Sequence, residues 1–284
     1  HIIETGNFKL DGGAMFGVVP KTLWSRTNPA DSQNRIDLAA RSLLIEDGNR
    51  LILIDTGMGN KQEDRFFQHF GLYGKNSIDF SIEKAGFSRS DITDVFLTHL
   101  HFDHCGGAVR WNKTKTAYEL SFPNARYWSN EEHWKWAVNP NGREKASFLL
   151  ENLMPIQESG QLNFIETPTS PFTDECGLGF GVLFVDGHTE KQMIPHISYR
   201  GQTFVFVADL LPTAGHLPLP YIMGYDVRPL QTLQEKKRFL NHAADQNFIL
   251  FMQHDAINPL IRVRHTEKGV RLHEVLDPKT LNTL

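Results

Sequence analysis

The sequence predicts an α/β fold in which two stacked β-sheets lie between outer helical layers, a four-layer αββα sandwich. Three observations predict it. Strand-like runs come early in the chain and again late, with helical spacing between the two batches. The run Leu51-Ile52-Leu53-Ile54 is apolar on both faces, as a strand covered on both sides must be. No internal repeat, low-complexity tract or long linker interrupts the 284 residues, so 1–284 reads as a single domain.

The elements follow in order. Ser42–Glu46 and Leu51–Asp55 flank Asp47-Gly48-Asn49 and read as a hairpin. Thr56-Gly57-Met58-Gly59 then breaks the second strand with glycines suited to a tight turn. Ser77 to Ala85 has helical spacing, with Ile78 and Ile82 on one face and Gly86 as its stop. Ser129 to Val138 reads as a helix capped by Ser129, with Glu132 completing a capping box. Arg143 to Met154 reads as another, stopped by Pro155. Later strands are predicted at Leu162–Ile165, Gly181–Val185, Thr203–Val207, Phe248–Met252 and Gly269–His273, with a helix over Leu233–Ala244.

Composition narrows the function. Hydrophobic residues make up 40% and charged residues 22%, as in an ordinary globular protein. The net charge of −4 argues against a nucleic-acid partner, which wants a basic face. Arg262, Arg264, Lys268 and Arg271 alternate like a solvated strand edge rather than a phosphate track. No apolar run approaches the ~20 residues that span a bilayer. The chain begins at His1 rather than Met, which leaves open a cytoplasmic location or a secreted or periplasmic one after signal removal. Two cysteines, Cys105 and Cys176, are too few for a disulfide framework, and Cys105 is read as packing.

The chemistry concentrates in Thr98-His99-Leu100-His101-Phe102-Asp103-His104, directly after the strand-like run Asp94–Leu97. Metal ligands sit where a strand ends and a loop begins, because the strand fixes them and the loop lets them converge. His188, Asp209 and His254 each follow an apolar run in the same way. In an extended segment His99 and His101 point the same way and can grip one ion. Asp103 and His104 need a turn to reach a second ion, which Gly106 and Gly107 would ease. With His188 on the first ion, His254 on the second and Asp209 bridging, two sites form. Imidazole with carboxylate suits zinc best, and Mn, Fe or Co share the same ligand preferences.

On Thr98-His99-x-His101-x-Asp103-His104, Gly187-His188, Ala208-Asp209, Gln253-His254 and the strand-turn Ile52–Gly57, the chain resembles the metallo-β-lactamase superfamily. The segments Asp11–Lys21 and Asp209–His216 look like its branch of quorum-quenching N-acyl homoserine lactonases and methyl-parathion-type hydrolases. The resemblance implies the metallo-β-lactamase fold, two Zn²⁺ ions, a homodimer and a lactone ring opened by a hydroxide shared between the ions. It implies proton transfer by Asp103 and a ligand-orienting role for Asp55, whose alternative is a strand-ending turn acceptor. Lactonases of this branch carry a Tyr three residues after the bridging Asp, where this chain has Pro212. His216, Tyr221 and Tyr225 on the same loop are the substitutes considered. An acyl pocket is expected from Met15, Phe16, Val18, Phe66, Phe70, Tyr73, Leu217 and Tyr221. The alternative substrate class is a phosphotriester or aryl ester on the same metals. A chain with purely structural ions and an iron oxidase of this fold are the readings from other classes.

Overall fold

The structure, a computed structural model, describes residues 1–279. It divides into two compact units, His1–Gly6 with Ala40–Ser170, and Asn7–Ala39 with the chain from Pro171 onward.

A six-stranded sheet runs in the order β1-β2-β3-β4-β7-β8, and of its strands β3, β4, β7 and β8 lie wholly in the first unit. Its strands are β1 (Ile2–Asp11), β2 (Arg35–Asp47), β3 (Arg50–Ile54), β4 (Asp94–Phe96), β7 (Arg126–Ser129) and β8 (Leu162–Phe164). A small hairpin, β5 (Val109–Trp111) with β6 (Tyr118–Leu120), stands apart from it. The expected hairpin is present, with Asp47 paired to Arg50 across Gly48-Asn49 and Gly48 at φ +59°, where glycine costs nothing. β3, β4, β7 and β8 then run parallel. Pleating splits the apolar residues between two faces. Leu51, Leu53, Val95 and Tyr127 share one core with Ile78, Ile82, Trp134, Leu153 and Ile156 from three helices. Ile52, Ile54 and Phe96 are equally buried on the opposite face, as the two-sided apolar pattern of β3 requires. Each such side chain contributes about 1.5–3 kcal/mol of burial energy.

Two helix assignments need correction. The helix Glu131–Val138 is capped by Asn130, whose side chain accepts from the His133 N–H at 2.8 Å, and Ser129 is the last residue of β7. The helix expected over Arg143–Met154 instead spans Leu150–Glu158 with Pro155 inside it. Residues 141–149 form a compact turn in which Asn141 Oδ1 accepts from the Arg143 and Glu144 N–H groups. The helix at Ile78–Lys84 forms as expected, and Ser77 caps it by accepting from Phe80 N–H.

The second unit carries a seven-stranded sheet ordered β15-β14-β13-β12-β11-β10-β9. Its strands are β9 (Phe172–Thr173), β10 (Gly181–Val185), β11 (Gln192–Tyr199), β12 (Gln202–Phe206), β13 (Ile249–Phe251), β14 (Leu260–Arg264) and β15 (Arg271–Val275). The parallel pair β12 and β13 is joined through the helix Pro229–Asp245, a βαβ crossover. Pro229 starts that helix, and Thr232, Lys236, Phe239, Leu240 and Ala243 form its buried stripe at helical spacing. Among the described residues no helix is long and apolar enough to cross a membrane.

Candidate metal centre

One device places the ligand residues in both units. His99, His188, Asp209 and His254 each stand on the third residue past a strand, after β4, β10, β12 and β13 respectively. Strand ends that point the same way bring such residues together at the carboxyl edge of a sheet. In the second unit the parallel register of β12 and β13 pairs Phe206 with Phe251, so Asp209 and His254 leave the sheet side by side.

In the first unit His99 Nε2 lies 3.2 Å from His101 Nδ1. His101 then caps a short helical turn, Phe102–Cys105, which carries Asp103 and His104. Asp103 Oδ2 is 3.8 Å from His104 Nε2. The extended-then-turned path expected for this motif is therefore present. Gly106 and Gly107 have another reason to be glycine than turn-making. A Cβ on Gly106 would come within 2.1 Å of Met58 O, and one on Gly107 within 2.1 Å of Thr56 O. The backbone of the motif lies directly on the Thr56–Met58 turn.

Asp55 follows β3 directly and is fully buried, at φ +57°, a conformation Asp tolerates better than most residues. It accepts from the Thr98 N–H and Oγ1–H, each at 2.8 Å, and from His104 Nδ1 at 2.9 Å. The turn and the orienting role considered for Asp55 are thus one arrangement. His133 Nε2 accepts the Leu100 N–H at 2.9 Å, and Glu144 Oε1 lies 3.3 Å from His101 Nε2. Neither His133 nor Glu144 was singled out from the sequence, because both come from other segments and share no spacing with the motif. Cys105 is buried with its thiol toward Leu100 O, and burial pushes it up to about 12, so it is packing as expected. Beneath the motif, Lys61 donates to Gly106 O, and burial lowers its ammonium to about 8.

In the second unit Asp209 faces two imidazoles. Its Oδ2 is 3.1 Å from His188 Nε2, and its Oδ1 is 3.1 Å from His254 Nε2. The far nitrogen of each ring is held by a protein oxygen: His188 Nδ1 donates to Asp226 Oδ1 at 2.9 Å, and His254 Nδ1 to Ala39 O at 2.9 Å. Burial alone would discharge His188, but the carboxylates of Asp209 and Asp226 outweigh it and push the ring up to about 10. Asp226 also escaped the sequence reading. Its one signal is an acid shortly before the Pro229 that opens a helix.

The remaining predicted residues divide. Phe66 and Phe70, on the helix Asp64–Phe70, meet the motif's own Phe102 at ring distances of 5.2 and 4.7 Å. Tyr73 follows them at the surface. Met15, Phe16 and Leu217 are buried in the second unit, and Tyr221 sets its edge against the Phe16 ring. Val18 is 98% exposed, so it packs no lining. His216 must be reassigned. It is buried, stacked 4.2 Å from Phe16, with Nδ1 2.8 Å from Thr213 Oγ1 and Nε2 donating to Met15 O. Burial drives it down to about 3. Both nitrogens being engaged, it pins a loop instead of touching substrate. Tyr225 is 39% exposed on the same loop.

The donor set fits divalent metal. The pairs His99–His101 and Asp103–His104 in one unit, and His188–Asp209 in the other, each offer ligand atoms within coordinating reach of one another. His101, His104, His188 and His254 each have one nitrogen near a protein oxygen outside the set, and each turns its other nitrogen toward another member of the set.

The model of the metallo-β-lactamase superfamily matches residues 35–254. The N-acyl homoserine lactonase AiiB of Agrobacterium fabrum is 27% identical over 144 residues, 46% of this chain and 51% of that protein. The chain spans about half the length of the curated relatives it matches. A crystal structure of a probable metal-dependent hydrolase from Staphylococcus aureus aligns with TM-score 0.83 and 29% identity, covering 98% of this chain and 97% of that one. AidC, a dizinc quorum-quenching lactonase solved with a product, aligns at TM-score 0.77 and 24% identity, over 97% and 94% of the two chains. The chain belongs to the metallo-β-lactamase superfamily and carries its fold.

Proposed function

We propose that the protein is a dinuclear lactonase that opens N-acyl homoserine lactones, a quorum-quenching activity, and that its two units work as one hydrolase domain. The observation that carries the reading is Asp209, which turns one carboxylate oxygen toward His188 and the other toward His254. A carboxylate so divided suits two ions better than one. His99, His101 and His188 would hold the first ion, and Asp103, His104 and His254 the second, with Asp209 shared. Zinc matches these donors, and Mn, Fe or Co would be held by the same atoms. Bound there, two divalent ions supply Lewis acidity and a water activated near neutral pH.

The chain's own residues do the rest. Asp55 and Asp226 fix the rings of His104 and His188 by bonding their far nitrogens. Asp103 takes up a proton at its carboxylate and returns it to the leaving alkoxide. Tyr225 stands in for the absent tyrosine and donates its phenol to the lactone carbonyl. Phe66, Phe70 and Phe102 offer an aromatic wall to the acyl chain. The curated relatives named as N-acyl homoserine lactonases support this choice of substrate. Pro212 in place of that tyrosine favours one second reading, an arylesterase or phosphotriesterase on the same metals.

The test compares kcat/KM of the metal-loaded protein on hexanoyl homoserine lactone and on an aryl phosphotriester. The proposal expects the lactone to be preferred by at least about 100-fold, roughly 2.7 kcal/mol of transition-state binding. A preferred triester supports the second reading instead.

A further inference from the structure

We propose that Glu144 is a positioning residue of the metal centre: its carboxylate locks the ring of His101 and strengthens the hold of His101 Nδ1 on an ion. The inference rests on the dinuclear reading above.

Glu144 is 3% exposed, in the turn between the helices Glu131–Val138 and Leu150–Glu158. Its two oxygens have separate duties. Oε2 accepts from Trp136 Nε1 at 2.8 Å and from Asn141 Nδ2 at 2.6 Å. Oε1 faces His101 Nε2 at 3.3 Å. The far side of that ring, Nδ1, is the nitrogen that approaches His99 Nε2. A proton held on Nε2 by Glu144 leaves the Nδ1 lone pair for metal, and a carboxylate partner makes that lone pair more basic.

The same turn confines the ring on a second side. Phe148 packs its ring 4.7 Å from that of His101, and Ser147 O accepts the N–H of Phe102, next along the motif. A buried carboxylate is costly to keep charged unless it is paired and hydrogen-bonded, and the His101 ring is one of the partners of Glu144. Asp55 on His104 and Asp226 on His188 likewise bond the ring nitrogen that faces away from the other predicted ligands, there Nδ1 at 2.9 Å where Glu144 faces Nε2, so Glu144 is a third orienting carboxylate, supplied from a turn with no recognisable motif.

The experiment measures zinc dissociation from wild type, Glu144→Ala and Glu144→Gln by competition with a chromogenic chelator, and the visible absorption of the Co²⁺-substituted forms. Glu144→Ala is expected to weaken one of the two ions by about 10–100-fold and leave the other unchanged. Glu144→Gln, which keeps an acceptor oxygen and the volume but not the charge, is expected to recover part of that affinity and to shift the Co²⁺ bands. A role confined to shaping the turn would leave those bands in place. Two ions held as tightly in both variants as in wild type overturn this inference alone. A wild-type chain that holds no ion overturns the metal reading and this inference with it.

Discussion

Asp209 divides its oxygens between His188 and His254, and Asp55 gathers three donors from the motif, so single-atom changes at these carboxylates have distinct signatures. Asp209→Asn replaces one acceptor oxygen with a donor. It is expected to lower metal content below two per chain by emission spectroscopy and to cut kcat/KM by about 100-fold or more. Asp55→Asn with its oxygen on the Thr98 N–H presents an NH2 donor where the Thr98 hydroxyl and His104 now find an acceptor. It is expected to weaken metal binding by about 10–100-fold and to cost about 1–3 kcal/mol in urea unfolding. Unchanged metal content in either variant would contradict its role. The ligand motif was legible because four metal-competent side chains crowd into six residues after a strand. Glu144, His133 and Asp226 were not, since each reaches the motif or a predicted ligand from a distant segment by folding alone. His216 misled for the converse reason: near Asp209 in sequence, it is committed to Thr213 and Met15.

At the scale of elements, the turn Asp55–Gly59 and the motif it supports form one interlocked backbone. Thr56 N–H donates to His104 O at 2.7 Å, and Gly107 N–H to Gly57 O at 2.9 Å. A methyl group at Gly107 would collide first with the Thr56 backbone carbonyl, at 2.1 Å from its oxygen. Gly107→Ala is therefore expected to cost about 1–3 kcal/mol, read as a lower urea midpoint, and an unshifted midpoint would show that the turn yields. Strands read well from the sequence because alternation and two-sided burial mark them independently of partners. The Arg143–Met154 helix failed because Phe148, Leu149 and Leu150 imitate helical spacing, while Asn141 folds the preceding residues into a turn. Pro155 lies inside the real helix instead of ending it. Asn130 displaced Ser129 as cap because the strand continues through Ser129.

For the whole molecule, part of the loss of stability in acid follows from a half-buried histidine held neutral. His196 is enclosed by Phe172, Phe239 and Phe248, and burial holds it down at about 4 against an ordinary 6.5. A depressed base binds fewer protons folded than unfolded, so its contribution is complete above pH 6.5 and is lost as pH falls through 4. The loss amounts to about 3 kcal/mol, and His196→Phe is expected to flatten the pH dependence of the urea midpoint across that window. An equally steep profile in the variant would assign the slope elsewhere. Adding zinc is expected to slow hydrogen exchange at 98–107, at 186–189 and at 252–255, the segments that carry proposed ligands. Unchanged exchange in any of these segments would contradict the ligand role proposed there.

The central claim is that two ions together open a lactone, and a metal titration tests it most directly. Metal-stripped protein is titrated with Zn²⁺ while turnover of hexanoyl homoserine lactone is followed by proton release. The account predicts that activity climbs until two equivalents are bound and then levels. Activity complete at one equivalent, or absent at two, would contradict it.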